Sequence, residues 1–334
     1  MSLDYPRRIH LAQTPTPLHC LQRATDRWGR GHRLWVKRDD LTGCTLSGNK
    51  VRKLEFICAH AIDNGYDTLI TCGGLQSNHC RATAFAGAQL GLSVHLLLRG
   101  EHPGQLEGNL LLDYLAGATV SCYPRQQYVQ EQAQLFEQWQ AHYDQLGRKA
   151  LAVPTGGSDG IGAWGYVAAC EEMRTQFEAA GIAQAHIVTA TGSGGTQAGL
   201  TAGVQLHQLP ATVWGVNVCD DEQYFLDKVA ADIGDLRLRY PALAPLTARA
   251  NVLDGYVGKG YGIADQPVFD LIAELARIEG IVLDPVYTGK AFAGLLSEIE
   301  RGRFDGVEDI VFIHTGGLFG VFPQHSGFNL PTIQ

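Results

Sequence analysis

The 334-residue sequence contains no apolar stretch of the roughly 18 to 20 residues that a membrane-spanning helix requires. Its start, residues 1–8, has no apolar segment of the kind found in signal peptides. Basic residues number 26 against 34 acidic ones and form no sustained run, so nucleic acid and anionic membrane are unfavourable partners. These absences predict a soluble, cytoplasmic protein.

Cysteine pairs at ligand spacing are also missing. The eight cysteines are scattered, and no two have the two-residue spacing of a zinc or redox motif. Most lie within apolar runs, as Cys58 and Cys219 do, which is typical of buried reduced thiols. We therefore expect no metal site.

What the chain has is an apolar content of 45% with only 18% charged residues, enough to form the cores of about two domains. Strand and helix patterns alternate along it, which predicts an α/β fold with mostly parallel sheets covered by helices. The predicted strands are residues 34–36, 68–71, 94–98, 119–122, 150–153, 186–189, 213–216 and 310–313. The predicted helices include residues 77–90, 127–146, 163–180, 196–207, 264–278 and 289–301.

The domain organisation is not marked by any low-complexity linker. Residues 51–160 contain four tight strand–helix units, which suggest a smaller inserted α/β domain. Residues 1–50 and 161–334 would then form the larger domain.

One lysine stands at the start of an apolar-periodic helix. Lys50 directly follows a Ser-Gly-Asn turn and precedes the cations Arg52 and Lys53. The positive end of a helix and nearby positive charges lower the pKa of an amine and favour its neutral, nucleophilic form. Only that form attacks an aldehyde cofactor to make a Schiff base. Taken alone, a lysine near a helix start is more often a solvated surface charge.

A glycine-rich turn follows the predicted strand at 186–189, and residues 191–199 read TGSGGTQAG. Backbone N–H groups converging at such a turn, with the positive end of the next helix, suit a phosphate. The candidate cradle is Ser193, Gly194, Gly195 and Thr196. A turn that only packs tightly is the alternative. A P-loop lysine and the acidic residue of a dinucleotide site are both missing, which makes a dehydrogenase a poor fit.

Residues 72–79, CGGLQSNH, join another predicted strand to a helix start. Ser77 and Asn78 have short polar side chains that cap helices, and backbone N–H groups at this point also bind carboxylates. Gln76, Ser77, Asn78 and His79 are therefore candidate substrate-binding residues, with simple helix capping as the alternative.

Polar residues near the C-terminus also follow strands or glycines. Tyr287 and Thr288 lie in the segment LDPVYTGK, and Thr315 lies in HTGG. In parallel α/β sheets ligands collect at the carboxyl ends of strands. Tyr261 lies in a loop with three glycines, a type of loop that often closes over sites. The alternatives are that Tyr287 is an aromatic residue packed at the rim of the sheet, that Thr315 is a helix N-cap, and that the loop of Tyr261 is an ordinary turn.

Together these motifs resemble the fold type II pyridoxal-phosphate enzymes, in particular the branch that contains D-cysteine desulfhydrase and 1-aminocyclopropane-1-carboxylate deaminase. The resemblance runs from TPTPL at 14–18 through WVKRDD at 35–40 to IHTGG at 313–317. It implies a two-domain fold like that of tryptophan synthase β, with a small domain inserted into a larger one. It also implies a homodimer and a small amino-acid substrate.

The resemblance assigns roles to the candidate residues. Lys50 would form the Schiff base with pyridoxal 5′-phosphate and remove the Cα proton, while Asn78 would bind the phenolic oxygen of the cofactor. Residues 193–196 would hold the phosphate. Tyr287 would lie against the pyridine ring, and Ser77 with its neighbours would take the substrate carboxylate.

The substrate depends on a few positions. The deaminases resemble this chain but have a glutamate where it has Thr288 and a leucine where it has Thr315. A carboxylate facing the pyridine nitrogen strengthens the electron sink, whereas a threonine hydroxyl, preferably that of Thr315, suits β-elimination. The resemblance therefore implies conversion of D-cysteine to sulfide, ammonia and pyruvate, with Tyr261 or Tyr287 assisting the leaving group.

Three alternatives remain from the sequence. They are a 1-aminocyclopropane-1-carboxylate deaminase, an L-cysteate sulfo-lyase that shares most of the motifs, and a non-catalytic pyridoxal-phosphate carrier. One departure from the relatives is Ala82, where they commonly have glutamine. A carrier has no need of a carboxylate site, so the motif at 76–79 with Tyr261 and Tyr287 favours turnover.

Overall fold

The computed structural model describes residues 3–329. In this range the chain forms ten strands and ten α-helices. The strands are β1 (Leu18–Cys20), β2 (Arg33–Lys37), β3 (Thr68–Gly74), β4 (Ser93–Arg99), β5 (Thr119–Tyr123), β6 (Ala150–Ala152), β7 (Ala185–Thr191), β8 (Ala211–Asn217), β9 (Asn251–Leu253) and β10 (Asp309–Ile313). The helices are α1 (Gln22–Trp28), α2 (Asn49–Asp63), α3 (Asn78–Leu90), α4 (Gly108–Leu115), α5 (Arg125–Gln145), α6 (Trp164–Ala180), α7 (Gly195–Leu206), α8 (Glu222–Arg239), α9 (Gln266–Glu279) and α10 (Thr288–Glu300).

The strands form two sheets. A six-stranded sheet has the order β1-β2-β10-β7-β8-β9, and a four-stranded sheet has the order β5-β4-β3-β6. Every pair is parallel except β1 with β2. Helices α7 and α10 pack on the larger sheet, and α3 and α5 pack on the smaller one. The predicted α/β fold with mostly parallel sheets is confirmed.

All eight strands predicted from the sequence are present, and so are the six predicted helices. The prediction missed β1 and β9, which have three residues each, because so short a segment shows no period. It also did not include α1, α4 and α8. In α8, residues 222–239, many charged side chains weaken the apolar pattern.

The last strand of the chain lies inside the larger sheet, between β2 and β7. Just beyond it, the Thr315 carbonyl accepts a hydrogen bond of 3.1 Å from the N–H of Asn49. Gly48 has φ +91°, and a Cβ there would lie 2.8 Å from the Thr315 oxygen. Only glycine permits this close approach of two backbones. The contact fixes the start of α2 against the end of β10.

The smaller sheet lies wholly within the predicted inserted segment, residues 51–160. The hydrophobic core nevertheless crosses both predicted boundaries, since one buried cluster contains Leu46 before residue 51, Leu54 of α2 and Trp164 of α6. The boundaries themselves stay a prediction. All eight cysteines are free thiols. Within residues 3–329, no helix combines the length and the apolar character needed to cross a bilayer.

Candidate active site

A cavity of about 950 Å³ lies where the carboxyl ends of strands from both sheets face each other. Ten of the thirteen candidate residues line it: Lys50, Ser77, Asn78, His79, Ser193, Gly194, Thr196, Tyr261, Tyr287 and Thr315. These residues are separated by up to 265 positions in the sequence, from 50 to 315. Their convergence follows from the parallel topology, which places strand ends at one edge of each sheet.

Lys50 lies in the first turn of α2 and reaches into the cavity. Its Nζ is 3.4 Å from the carbonyl oxygen of Gly156 and 3.5 Å from Ser193 Oγ, so neither contact is a short hydrogen bond. Burial lowers the pKa of Lys50 from 10.5 to about 8. The amine is thus readily neutral and only loosely held, as a nucleophile must be.

Arg52 contributes differently from the sequence prediction. Its guanidinium donates to Asp39 at 2.8 and 2.9 Å and to Glu172 at 3.0 Å. Two carboxylates therefore neutralise the charge of Arg52, and the prediction that it lowers the pKa of Lys50 was wrong. Removal of the amine from water is the main cause.

Lys53, one turn later, faces the same region as Lys50, but the prediction that it lowers the pKa of Lys50 was wrong, because its hydrogen bond to Lys50 raises that pKa. Its Nζ donates to the Gly156 carbonyl at 3.1 Å and to Ser158 Oγ at 3.4 Å. Burial, and then the charge of Lys50, lower the pKa of Lys53 well below its usual value. The pair places two amines within reach of one carbonyl oxygen beside the glycine-rich turn.

The glycine-rich turn joins β7 to α7 as predicted. Gly194 has φ +81°, and a Cβ there would lie 2.9 Å from Lys228 Cγ. At Gly195 an added Cβ would lie 2.6 Å from Ser158 Oγ, which accepts a 3.2 Å hydrogen bond from the Gly195 N–H. Both positions therefore require glycine. Gly195 is not among the residues that line the cavity.

Hydroxyl groups cluster around this turn. Ser158 Oγ donates to Ser193 Oγ at 3.0 Å, and Thr196 Oγ1 accepts from Asn49 Nδ2 at 2.9 Å. Ser158, Ser193 and Thr196 all line the cavity. Hydroxyls and N–H groups at the start of a helix form a donor set suited to a phosphate.

The start of α3 forms the opposite wall. Ser77 Oγ accepts from the N–H of Cys80 at 3.2 Å, so Ser77 caps the helix and keeps its own hydroxyl proton for a ligand. Asn78 Oδ1 accepts from Asn109 Nδ2 at 3.0 Å. This bond orients the Asn78 amide so that its NH₂ group remains a donor at the cavity.

His79 is buried beside Ser77 and Asn78, and its Nε2 is 2.8 Å from the hydroxyl of Thr71. Burial lowers the pKa of His79 well below its usual value, with smaller contributions from the charges of Lys50 and Lys53. The imidazole is therefore neutral in this site.

Arg81 of α3 is buried and does not lie on the helix surface. It is only 1% exposed, and its guanidinium donates to the carbonyl of Ser47 at 2.9 Å and to its Oγ at 3.2 Å. It thereby holds the turn that precedes Lys50.

Two candidate substrate-binding residues lie outside the cavity lining. The side chain of Gln76 binds the backbone of α4, with Oε1 accepting from the Asn109 N–H at 2.8 Å. Thr288 is fully buried, and its hydroxyl donates to Asp284 Oδ1 at 2.7 Å. The structure thus does not bring Gln76 or Thr288 together with the other candidates.

Two tyrosines form the third wall. The hydroxyls of Tyr261 and Tyr287 are hydrogen-bonded to each other, and their rings meet edge to face at 5.9 Å. Burial raises the pKa of both phenols, so both are protonated at neutral pH. Tyr287 also packs close to the glycine-rich turn, because a Cβ on Gly192 would lie 3.0 Å from its ring.

The glycine loop that carries Tyr261 is held in place by a lysine that the sequence analysis missed. Lys290 of α10 donates to the carbonyls of Val257 at 2.6 Å and Gly260 at 2.8 Å. Gly260 has φ +136°, a conformation that glycine alone adopts readily.

Thr315 lies just beyond β10, and its side chain lines the cavity. Across residues 3–329, the hydroxyl has no hydrogen-bonding partner, although the backbone carbonyl binds Asn49. The hydroxyl is therefore available to a ligand next to the turn that carries Lys50.

The fourth wall was not predicted. It consists of the end of β4 and one face of α5, with the residues Arg99, Arg125, Tyr128, Val129, Gln132, Ala133, Phe136 and Glu137. The rule that ligands meet the carboxyl ends of parallel strands would have indicated Arg99, because it directly follows the predicted strand at 94–98. The α5 residues gave no signal, since a polar helix face is usually solvated.

These walls fit pyridoxal phosphate. The glycine-rich turn leaves no room for a Cβ and presents hydroxyls, as a phosphate site requires. Lys50 supplies an amine of lowered pKa without a short hydrogen bond, and Asn78 and Thr315 present free donors. Among the residues that the structure describes, no group of three metal-ligating side chains occurs.

Comparison with known proteins agrees with this fit. The family model described as pyridoxal-phosphate dependent enzyme matches residues 9–316. The mitochondrial bifunctional D-cysteine desulfhydrase/1-aminocyclopropane-1-carboxylate deaminase of Arabidopsis thaliana is 41% identical over 331 residues, which cover 94% of this chain and 79% of that protein. D-cysteine desulfhydrase of Klebsiella pneumoniae is 38% identical over 326 residues, with 95% and 96% covered.

The fold agrees as well. The crystal structure of a homologue of 1-aminocyclopropane-1-carboxylate deaminase superposes with a TM-score of 0.87 at 35% identity, covering 96% of this chain and 94% of that one. The resemblance, the fold type and the cofactor predicted from the sequence are thereby confirmed. The chain belongs to the family of pyridoxal-phosphate-dependent enzymes, in the group of lyases named D-cysteine desulfhydrase and 1-aminocyclopropane-1-carboxylate deaminase.

Proposed function

We propose that the protein catalyses β-elimination on D-cysteine and releases pyruvate, sulfide and ammonia. In this proposal it works in the cytoplasm as a homodimer, each subunit having the small domain 51–160 inserted into the larger one. D-cysteine is supported as the substrate by the names of two relatives. The Klebsiella protein is named D-cysteine desulfhydrase, and this activity is one of the two in the name of the Arabidopsis protein.

The observation that carries the proposal is the free hydroxyl of Thr315 in the cavity wall. A hydroxyl that donates to the pyridine nitrogen leaves this nitrogen unprotonated, whereas a carboxylate would keep it protonated. The weaker electron sink suits a reaction in which a good leaving group departs as Cα loses its proton. Thr288, the alternative partner, is already bonded to Asp284.

Pyridoxal phosphate, when bound, supplies an electron sink that stabilises negative charge at the substrate Cα. The turn at 193–196 would hold its phosphate, Asn78 its phenolic oxygen and Thr315 its ring nitrogen. Tyr287 would lie against the ring.

Lys50 is the proposed base. An amine whose pKa is about 8 accepts a proton from Cα at neutral pH and releases it again, whereas an ordinary lysine would stay protonated. The Ser77 hydroxyl and the N–H groups at the start of α3 would bind the substrate carboxylate. They would hold the Cα–H bond towards Lys50.

The tyrosine pair is the proposed acid. In a hydrogen bond between two hydroxyls one donates, so the other keeps its proton for the substrate. The Cα proton passes to Lys50, and the electron pair of the Cβ–S bond leaves with the sulfur, which takes a proton from Tyr261 or Tyr287. The released enamine reacts with one water to give pyruvate and ammonia, so that D-cysteine and water become pyruvate, ammonia and hydrogen sulfide.

The test is a panel of substrates given to the holoenzyme: D-cysteine, L-cysteine, L-cysteate, β-chloro-D-alanine and 1-aminocyclopropane-1-carboxylate. We expect pyruvate and sulfide from D-cysteine and little 2-oxobutyrate from the cyclopropane. Thr315→Leu should lower the rate with D-cysteine by roughly tenfold or more, since a hydrogen bond to the ring is lost, and Thr315→Ser should keep most of it.

Each of the other outcomes assigns the protein a different function. Efficient 2-oxobutyrate production makes the enzyme a deaminase, and dominant sulfite release from L-cysteate makes it a sulfo-lyase. Bound cofactor without any oxoacid product makes it a carrier.

A further inference from the structure

Arg99 is the last residue of β4, and its side chain lines the cavity. In the register of the smaller sheet it lies opposite Gly74 of β3, a cavity residue three positions before Ser77. Arg99 therefore lies one strand away from the segment that leads into α3, at the edge where ligands collect.

The guanidinium of Arg99 lies between two aromatic rings, 5.1 Å from the centroid of Tyr261 and 5.8 Å from that of Tyr128. It makes no hydrogen bond or ion pair with any residue in the range 3–329, in contrast to Arg52, which binds two carboxylates. Aromatic faces orient a guanidinium but leave its five N–H donors unused. A partly buried cation of this kind in a cavity wall is suited to an anion brought by the ligand.

The tyrosines indicate which part of the ligand Arg99 meets. Its guanidinium packs on Tyr261, whose hydroxyl binds that of Tyr287. These two hydroxyls are the proposed acids for the leaving group, so Arg99 lies on the leaving-group side. The substrate carboxylate has separate donors at the start of α3.

We propose that Arg99 binds a negatively charged substituent on the substrate Cβ, and that the site prefers amino acids with such a group, including the thiolate of cysteine. This inference rests on the proposed function, which assigns the tyrosines to the leaving group. A nearby guanidinium favours the ionised form of a thiol, whose ordinary pKa is about 8.5. When the Cβ–S electron pair leaves with this sulfur and the sulfur takes the proton from Tyr261 or Tyr287, it is released as HS⁻, so Arg99 faces one negative charge before and after the bond breaks.

The test compares two ligands of the same shape that differ by one charge, aspartate and asparagine. Alanine, which has no group on Cβ, measures binding of the amine and carboxylate alone. Dissociation constants are measured on the holoenzyme from the change in its visible spectrum. All three amino acids are used as D or as L enantiomers, whichever series has the alanine that binds more tightly. We expect the parent to prefer aspartate, Arg99→Gln to lose this preference by about tenfold or more, and Arg99→Lys to keep part of it.

The matched control is Arg148→Gln, which also removes an arginine from a tyrosine face, at 5.2 Å from the Tyr143 ring, but outside the cavity. It should leave the aspartate preference unchanged. A parent protein that binds asparagine as tightly as aspartate overturns the inference. An Arg99→Gln protein whose affinities for alanine and for aspartate fall equally also overturns the inference, since Arg99 would then bind the substrate carboxylate or only support the fold.

The two proposals fail separately. If D-cysteine yields no sulfide while the aspartate preference depends on Arg99, the proposed substrate is wrong and the anion site stands. If D-cysteine yields sulfide and the aspartate preference is absent, the anion site is wrong and the proposed substrate stands.

Discussion

At the scale of single residues, the chemistry depends on how Lys50 becomes neutral. Its neighbours in sequence suggested repulsion between cations, but Arg52 is bound by Asp39 and Glu172. Removal of the amine from water lowers the pKa of Lys50 instead. The reactivity is thus a property of the cavity wall and not of the motif.

This explanation predicts how the apoprotein captures pyridoxal phosphate as pH changes. The protonated amine cannot attack, so the rate of covalent capture should rise with pH and level off above about 8, not near the 10.5 of an ordinary lysine. The rate is followed by visible absorption from about pH 6 to about pH 10, with a free lysine derivative as reference.

Lys50→Ala should capture no cofactor covalently, and borohydride should fix none to it. Lys259→Ala, which removes a largely exposed lysine, should behave like the parent. A capture rate that keeps rising in parallel with the free lysine would contradict the role of burial.

At the scale of secondary structure elements, α4 contains a buried carboxyl group that has no hydrogen-bonding partner among the described residues. Both carboxylate oxygens of Asp113 are buried, with no hydrogen-bonding partner among residues 3–329. Burial raises the pKa of Asp113 from 3.8 to about 8, opposed in part by the charge of Arg81. The carboxyl group is therefore neutral in the folded protein at pH 7 and ionised in the unfolded chain.

A group protonated only in the folded state makes stability fall as pH rises. For Asp113 the fall should extend from about pH 4 to about pH 8, by up to ~1.4 kcal/mol per pH unit. Asp113→Asn removes the ionisation. Its gain in the free energy of unfolding over the parent should be small at pH 5 and larger at pH 8, as measured by urea unfolding.

The control is Asp144→Asn, on the exposed side of α5, which should show no such trend. Equal effects of Asp113→Asn at pH 5 and pH 8 would show that the carboxyl group is not held neutral by the fold.

The elements also show what could be predicted from the sequence. Strands and helices follow from apolar periods, which are local, and the two short strands lack them. Lys50 and the turn at 193–196 were found because each motif is contiguous. Thr288 was assigned from its position next to Tyr287, but its side chain turns to Asp284. Residues adjacent in sequence share a secondary structure element, but their side chains point in different directions.

Contacts between distant segments gave no signal. Ser158 reaches the turn at 193–196 from a different loop, and Lys53 shares a carbonyl with Lys50 through Gly156. The guanidinium of Arg99 is oriented by the rings of Tyr128 and Tyr261, which belong to two other segments. One sequence without its fold contains no information that pairs these positions.

At the scale of the whole molecule, the cavity takes its walls from both sheets. A ligand that contacts both should stabilise them together by mass action, by about 2.7 kcal/mol at a hundredfold excess over its dissociation constant. We expect the holoprotein to unfold thermally in one transition, a few degrees above the apoprotein.

Gly194→Val should abolish most of this stabilisation by pyridoxal phosphate, because the side chain distorts the phosphate turn. Gly65→Val is the matched control, since Gly65 has a similar φ of +69° but lies in open space. It should lower the melting temperature of apo and holo forms alike. If the cofactor stabilises both variants equally, the phosphate binds elsewhere.

The position of β10 has a consequence for synthesis of the protein on the ribosome. Lys50 emerges well before the strand against which its turn is fixed, since β10 begins at Asp309, and Thr315 follows that strand. The nascent chain can form the smaller sheet while β2 still lacks its neighbour. The cofactor site therefore cannot form until the segment that contains β10 and Thr315 has been synthesised, and contacts between such distant segments form slowly.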